Sequence, residues 1–182
     1  MITIYELKLT NLQQRILMLM FVKTGAPLNQ RQVAKSLDVS PTAVMKALPG
    51  LEKENLIKMW QEMESGRWSI ELNRDDRKAM QLKRIDNLRL IYHSDLADFL
   101  ESEFAGATII LFGSYSRGED TINSDIDLAI IGRKEKQVNL LGFESILKRK
   151  ININFYDSFK NIHKHLRENI LNGFIITGGI EL

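Results

Sequence analysis

The sequence predicts an α+β protein of two parts joined by a helical segment. In the first part, three apolar patterns of helical period precede two short alternating segments, which is typical of three helices followed by a β-hairpin. In the second part, the apolar runs at 108–112, 126–131 and 151–156 are separated by turn-rich and helical segments, which predicts a small mixed sheet with helices. The expected divisions are residues 1–73, a helical linker at 74–104 and residues 105–182.

Composition places the chain among ordinary globular proteins. It has 182 residues, of which 44% are hydrophobic and 26% charged, enough for one or two small cores. It contains no cysteine, which excludes disulfides and thiolate zinc sites. No signal peptide or membrane-spanning run is recognisable, so we expect a cytoplasmic protein. The net charge of +2 is too small to indicate nucleic-acid binding by itself.

The first helix is predicted between Thr10 and Val22, because apolar residues recur there at helical spacing. Gly25-Ala26-Pro27 ends it, and residues 1–8 before it receive no clear assignment. The apolar positions are Leu12, Ile16, Leu17, Met20 and Phe21.

Two shorter helices follow, and capping residues mark where each begins. Asn29 with Gln32 three residues later has the pattern of a capping box. Ser40 can cap the next helix, with Pro41 at the favoured first helical position. Pro49-Gly50 is expected to end or kink this helix before Leu51. Two short helices joined by a tight polar turn indicate a helix-turn-helix.

The segments 57–62 and 68–72 alternate on either side of Glu64-Ser65-Gly66-Arg67, which predicts a β-hairpin. A helix-turn-helix followed by such a hairpin is a winged helix. The segment resembles the winged-helix domains of bacterial and archaeal regulators, particularly those in which Asn55-Leu56-Ile57 leads into the wing.

If the winged helix binds DNA, the helix from Pro41 to about Leu48 would enter the major groove, with Arg67 at the wing tip reaching an adjacent backbone. The alternative is a protein-docking or dimerisation module, in which these polar side chains simply face solvent. The helix side chains that would contact bases or phosphates are those of Ser40, Thr42, Lys46 and Ala43.

In residues 73–104, apolar residues alternate with many charged ones in a way that predicts one long helix or two, with a break near His93-Ser94-Asp95. Such a segment connects the two parts of the chain. It could also support a homodimer by packing against its twin.

The most informative segment begins with Gly113-Ser114 directly after an apolar strand and ends with Asp125-x-Asp127 at the start of another. Residues two apart in a strand share a face, so the two aspartates should lie side by side while Ile126 and Leu128 face a core. Paired carboxylates with a nearby phosphate group suit Mg²⁺. The Gly-Ser turn offers backbone N–H groups to phosphate, and Arg117 adds positive charge.

These residues, together with Arg117-Gly118 and Ser124, resemble the signature of the DNA polymerase β-type nucleotidyltransferases, and the minimal nucleotidyltransferases of bacteria and archaea in particular. The resemblance covers roughly the last 80 residues. It implies that Asp125 and Asp127 bind Mg²⁺ or Mn²⁺ and are catalytic, and that Gly113, Ser114 and Arg117 bind the nucleotide. For Arg117 the alternative is a surface ion pair with Glu119 or Asp120.

The resemblance also implies a third carboxylate on the next strand, and here the chain departs from the pattern. The alternating run 151–156 predicts that strand, with Ile151, Ile153 and Phe155 buried. The expected position of the third acid is an asparagine, either Asn152 or Asn154, with Tyr156 on the same face. An amide cannot supply the charge or act as a base. Asp157, just past the strand, has the wrong spacing to replace it.

A helix is expected from Leu140 to Lys150, and another from Ser158 to Asn169. In the second of these, His163 and His165 are two residues apart and would not share a face, so we expect a solvated surface there rather than a metal site. Residues 170–180 should form a turn and a final strand.

The implied activity is transfer of a nucleoside monophosphate, AMP from ATP, to a macromolecular hydroxyl. Minimal nucleotidyltransferases often act as antitoxins that modify a partner ribonuclease, which makes a toxin–antitoxin role and a protein acceptor the expectation. The alternative is a winged-helix transcriptional regulator whose nucleotide-binding domain is catalytically degenerate, and the missing third acid favours it. A dimeric scaffold with neither activity is a third interpretation.

Overall fold

The computed structural model describes residues 9–180, and the chain folds into two compact units, Met1–Met80 and Gln81–Leu182. The unassigned residues 1–8 lie outside the described residues. The unit boundary falls within one helix, α4, Arg77–His93. No helix of the described part is long and apolar enough to cross a membrane.

The N-terminal unit has the winged-helix topology that the sequence predicts. Three helices pack around a core that includes Ile16, Val33 and Leu48, all fully buried, and a three-stranded sheet of order β1-β3-β2 closes it. The elements are α1 Asn11–Val22, β1 Leu28–Asn29, α2 Gln30–Leu37, α3 Pro41–Lys53, β2 Ile57–Gln61 and β3 Trp68–Leu72.

The predicted caps of α2 and α3 are present, and α1 has a cap that the sequence analysis did not name. Thr10 and Asn29 each form a complete capping box, with Gln13 and Gln32 respectively. The Ser40 hydroxyl accepts a hydrogen bond of 3.1 Å from the backbone N–H of Ala43. These bonds satisfy donors that a helix start otherwise leaves unpaired, so short polar sequences suffice to begin each helix.

The prediction that Pro49-Gly50 ends α3 is wrong, because the helix continues to Lys53 with Pro49 inside it. Leu48 and Leu51 on either side are fully buried, so packing holds the helix together despite the lost proline N–H. The side-chain amide of Gln13 also donates to the Ala47 carbonyl at 3.0 Å. A Cβ at Gly50 would clash with that amide nitrogen, so glycine leaves room for this contact.

The wing is the hairpin of β2 and β3, in register from Ile57↔Leu72 to Gln61↔Trp68. Its turn is organised around Glu62, whose carboxylate accepts hydrogen bonds from the hydroxyls of Ser69 at 2.6 Å and Ser65 at 2.9 Å. These bonds, Ser69 first, lower the pKa of Glu62. The carboxylate is therefore charged at neutral pH and holds the turn that carries Arg67.

The C-terminal unit is a four-stranded mixed sheet of order β6-β5-β4-β7 with helices on both faces. Strand β5 runs antiparallel to β4 and parallel to β6, and β7 pairs antiparallel with β4 as the sequence predicts for the chain end. The elements after α4 are α5 Leu96–Glu103, β4 Thr108–Phe112, α6 Gly113–Arg117, β5 Ile126–Ile131, α7 Leu141–Leu147, β6 Ile151–Tyr156, α8 Lys164–Leu171 and β7 Phe174–Thr177.

The break predicted near residues 93–95 is present: α4 ends at His93, and Asp95 takes a left-handed conformation before α5. Helix α5 packs Leu96 and Leu100 against the sheet, as part of the core of the C-terminal unit. On the outer side of α4, Ile85 is 64% exposed and Tyr92 is 49% exposed.

Three other local predictions need correction. The helix expected at 140–150 spans only Leu141–Leu147. The expected helix Ser158–Asn169 is a 3₁₀ turn, Phe159–Asn161, followed by α8, because buried Ile162 is extended and separates the two. Ile153 and Phe155 are half-buried rather than buried, since β6 is an edge strand.

Candidate active site and nucleic-acid surface

The end of β4 and the start of β5 bring the Gly-Ser turn against the aspartate pair. Phe112, the last residue of β4, pairs with Asp127, so the chain turns into α6 directly beside that carboxylate. Gly113 has φ +75°, and a Cβ there would lie 2.6 Å from Asp127 Oδ2. Glycine is therefore required both by the backbone conformation and by the close approach to the acid.

The two aspartates lie side by side at this edge of the sheet. Ile126 and Leu128, which alternate with them, are fully buried as predicted. Asp125 is placed by the preceding turn, in which the Ser124 hydroxyl accepts a 2.9 Å bond from the backbone N–H of Thr121. The Ile126 N–H then donates to the Lys150 carbonyl at 2.8 Å, which starts the pairing of β5 with β6.

Asn152 occupies the position beside both acids. The parallel register pairs Asp127 with Asn152, and the Asn152 amide donates to Asp125 at 3.1 Å and to Asp127 at 3.4 Å. Asn154 lies two pairs further along, opposite Ala129, and donates weakly to the Leu128 carbonyl instead. Of the two asparagines that the sequence leaves open, Asn152 is therefore the one at the site.

Asp157 does not reach this site. The register of β5 and β6 ends with Ile131 opposite Tyr156, so Asp157 lies past the opposite end of the sheet from Asp125. Within the described residues there is no group of three acidic, histidine or cysteine side chains that could hold a metal. His163 and His165 lie 5.6 Å apart between ring centroids, and His165 faces Glu168 across 3.7 Å at an exposed position.

The donor set at the site nevertheless fits one Mg²⁺. Two carboxylates supply hard oxygen ligands, and Mg²⁺ ordinarily takes its other ligands from water and substrate phosphates. The space left by the missing side chain of Gly113 lies directly beside Asp127. This is where phosphate oxygens would have to approach such an ion.

Arg117 lies at the end of α6, where its guanidinium contacts Glu119 at 2.7 Å and Asn169 at 2.9 Å. The ion pair with Glu119 is one of the alternatives that the sequence leaves open, whereas the pair with Asp120 is not formed. The Arg117 side chain is 39% exposed and so remains accessible to a ligand. Ser114 is half-buried in the same short helix.

Asp120 is instead the centre of a buried charge network that the sequence does not reveal. Its carboxylate contacts the Lys83 ammonium, the Asn87 amide at 2.7 Å and the Arg149 guanidinium at 3.5 Å. Lys83 is 0% exposed, Asp120 1% and Arg149 7%. The network joins α4, the loop before Asp125 and the segment before β6.

Asn87 extends this network to α6 by donating to the Tyr115 carbonyl at 2.9 Å. Burial, with the neighbouring Asp120 carboxylate, raises the pKa of the Tyr115 hydroxyl, so this phenol is neutral at physiological pH. The sequence contains only a weak signal for this network. One face of α4 repeats every four residues and is buried, and two of its members are polar: Ala79, Lys83, Asn87 and Ile91.

In the N-terminal unit, the predicted DNA-contacting residues fall in two places. Thr42 and Lys46 lie in α3 next to Ser40, whose hydroxyl caps that helix, and Arg67 lies in the wing. The side chains of Thr42, Lys46 and Arg67 are all exposed. The amide of Gln30 donates to the Pro41 carbonyl at 2.8 Å, which fixes the start of α2 against the start of α3.

A cavity of ≈ 440 Å³ lies between the start of α2 and the wing. Arg31, Lys35 and Arg67 line it together with Trp68, which is 40% exposed. The basic surface of this unit therefore includes α2 as well as the residues that the sequence singled out.

Comparisons with known proteins give one family match, and it lies in the C-terminal unit. The family model described as Nucleotidyltransferase domain matches residues 93–177. A search of curated proteins finds no match.

Among solved structures, a mutant of ZitR from Lactococcus lactis is 25% identical, with 57% of this chain and 68% of that chain covered and a TM-score of 0.42. The adhesin competence repressor AdcR from Streptococcus pyogenes is 24% identical, with coverages of 56% and 70% and a TM-score of 0.43. Such low TM-scores do not establish a shared fold, so the winged-helix assignment follows from the order and pairing of the helices and strands. The family match covers less than half of the chain and includes all four strands of the C-terminal sheet.

Proposed function

We propose that the protein is a Mg²⁺-dependent nucleotidyltransferase that transfers AMP from ATP to a hydroxyl of a macromolecule, and that its winged helix binds DNA. The observation that carries the proposal is the juxtaposition of Asp125, Asp127 and the Gly113 turn within a domain that matches the nucleotidyltransferase family. Mn²⁺ has similar ligand preferences and could replace Mg²⁺.

Each residue of the site has a role in this proposal. Asp125 and Asp127 hold the metal, which when bound neutralises phosphate charge and stabilises the leaving group. The backbone of Gly113 and Ser114 binds the phosphates, and Arg117 exchanges its contact with Glu119 for one with phosphate. Asn152 orients the two carboxylates through its amide but cannot accept the proton of the attacking hydroxyl.

A direct test is to incubate the full-length protein with ATP labelled at the α-phosphate and a lysate of the organism that encodes it. Label on a macromolecule in the presence of Mg²⁺ that disappears with EDTA would support the proposal and identify the acceptor by size. The acceptor that we expect is a protein, such as a partner toxin ribonuclease.

The second candidate function is a winged-helix regulator whose C-terminal domain binds nucleotide without chemistry. Asn152 favours it, because the position beside the two aspartates carries no third charge. Binding of labelled ATP without transfer to any acceptor would support this candidate over the enzyme.

Substituting Asn152 by aspartate tests the proposed metal ligands. In an active enzyme, we expect Asn152→Asp to tighten Mg²⁺ binding by roughly tenfold, because a third carboxylate adds an anionic ligand at the pairing position of Asp127. The apparent dissociation constant is read from the Mg²⁺ dependence of transfer, and from Mn²⁺ binding followed by electron paramagnetic resonance. Asn154→Asp, two pairs along the same strand, is the matched control and should leave metal binding unchanged. Weaker metal binding in Asn152→Asp would contradict the proposed ligand set.

For DNA binding, we expect Lys46→Ala and Arg67→Ala to weaken affinity for all sequences alike. Each variant should also make the slope of log K against log salt concentration shallower, by the amount that corresponds to about one phosphate contact. Lys53→Ala is the control, since Lys53 is exposed at the opposite end of the same helix α3. Affinity is measured by fluorescence anisotropy on duplex DNA at several salt concentrations. Unchanged affinity in both variants would leave the winged helix as a protein-docking module.

A further inference from the structure

A groove of ≈ 540 Å³ opens beside Asp125, between the loop before β5 and helix α7. Ser124 and Asp125 form one wall, and Leu141, Lys148 and Lys150 lie on the other side. Its volume falls within the range of ordinary ligand pockets. None of the roles proposed above for the site residues involves this groove.

The groove lies on the opposite side of β5 from the Gly-Ser turn. The sheet order is β6-β5-β4, so Gly113 approaches the acids from the β4 side, whereas Lys150 immediately precedes β6 and bonds to the first residue of β5. Phosphoryl transfer places the attacking and leaving oxygens roughly in line, on opposite sides of the phosphorus. If the pyrophosphate leaves on the Gly113 side, the attacking hydroxyl must come from the side of the groove.

The groove contains both signs of charge: the carboxylates of Asp125 and Glu144 line it, and its exposed positive charges are those of Lys148 and Lys150. Glu144 is engaged by the backbone N–H of Ile151 at 2.9 Å, and Arg149 is buried against Asp120. Lys148 and Lys150 are exposed, and within residues 9–180 neither forms an ion pair. Two ammonium groups at the rim of a groove attract an anionic ligand.

The apolar part of the groove favours a protein. Leu141 is 72% exposed at its edge, and Ile146 on the same helix is 64% exposed. None of the described residues that line the groove is aromatic, so it offers no surface on which nucleic-acid bases could stack. Exposed large apolar residues beside lysines suit a polypeptide with apolar and acidic side chains.

We propose that this groove binds the acceptor, a protein segment that carries aspartate or glutamate beside its acceptor hydroxyl. This rests on the proposed nucleotidyl transfer. In that step the acceptor oxygen forms a bond to the α-phosphorus of ATP while the bond from this phosphorus to the pyrophosphate oxygen breaks. Pyrophosphate leaves with the bonding electron pair, and the hydroxyl proton passes to water.

The test compares two pools of synthetic peptides, each with Tyr, Ser or Thr at the centre, flanked in one pool by Glu, Asp and Leu and in the other by Lys, Arg and Leu. With the full-length protein, Mg²⁺ and α-labelled ATP, we expect at least tenfold more label on the acidic pool. The Lys148→Glu, Lys150→Glu variant should lose this preference while still binding ATP. The control, Lys134→Glu with Lys160→Glu, makes the same change in net charge at exposed residues outside the groove and should keep the preference.

The outcomes separate this inference from the proposed function. If the wild type labels the acidic pool and the groove variant labels it equally well, the acceptor binds elsewhere. If label goes to a single-stranded RNA oligonucleotide instead of either pool, the acceptor is a nucleic acid and the inference is overturned. If the wild type binds ATP and labels nothing, neither in these pools nor in lysate, the transferase function itself fails.

Discussion

Replacing both Asp125 and Asp127 by asparagine is expected to reduce nucleotidyl transfer by roughly three orders of magnitude or more. Asparagine keeps the shape of each side chain and an oxygen that can face a metal, but removes both negative charges from the site. With Asn152 between them, the site would then contain three neutral amides and no anionic ligand. We expect Mg²⁺ affinity and turnover to fall together.

The measurement is the initial rate of label transfer at saturating Mg²⁺, with Mn²⁺ binding followed separately by electron paramagnetic resonance. Asp157→Asn is the matched control. This exposed acid follows β6, the neighbour of β5, and lies at the opposite end of the sheet from the aspartate pair. DNA affinity should persist in the double variant, because its substitutions lie outside residues 1–80. A double variant that keeps transfer within tenfold of the wild type would show that the aspartate pair does not hold the catalytic metal.

The parts of this architecture that local sequence determines were predictable. Capping residues mark the starts of α2 and α3, period-two alternation marks the wing and β6, and apolar runs mark β4 and β5. The placement of the Gly-Ser turn against Asp127 follows from the short antiparallel connection between β4 and β5. Each of these features depends on contacts between residues that are near in sequence.

The features that could not be predicted depend on tertiary contacts. Helix α3 continues through Pro49 because buried leucines on both sides hold it, which outweighs the local penalty of proline. The choice between Asn152 and Asn154 is fixed by the register of β6 on β5, and alternation alone cannot give a register. Lys83 and Asp120 are 37 residues apart, so nothing local to either residue indicates their pairing.

Substituting Asp120 by asparagine is expected to destabilise the C-terminal unit by about 3–5 kcal/mol. Asp120 is the carboxylate that both Lys83 and Arg149 contact, and all three side chains are at least nine-tenths buried. An amide of the same shape removes the negative charge that both buried cations contact. Charges removed from water in this way cost several kcal/mol each unless they are paired.

The free energy of unfolding of the full-length protein is measured by urea denaturation, and hydrogen exchange locates the change. Protection of the β4 and β5 amides should fall, while that of the β2 and β3 amides in the other unit serves as the internal reference. Adding Lys83→Met to Asp120→Asn should recover at least about 1 kcal/mol, because one of the two buried cations that contacted the lost carboxylate is then removed. If the double variant were less stable than Asp120→Asn alone, the Lys83 contact would matter through packing rather than charge. Recovery would instead show that the loop carrying Asp125 is held in place by a buried ion pair to α4, which links the stability of this unit to the geometry of its carboxylate pair.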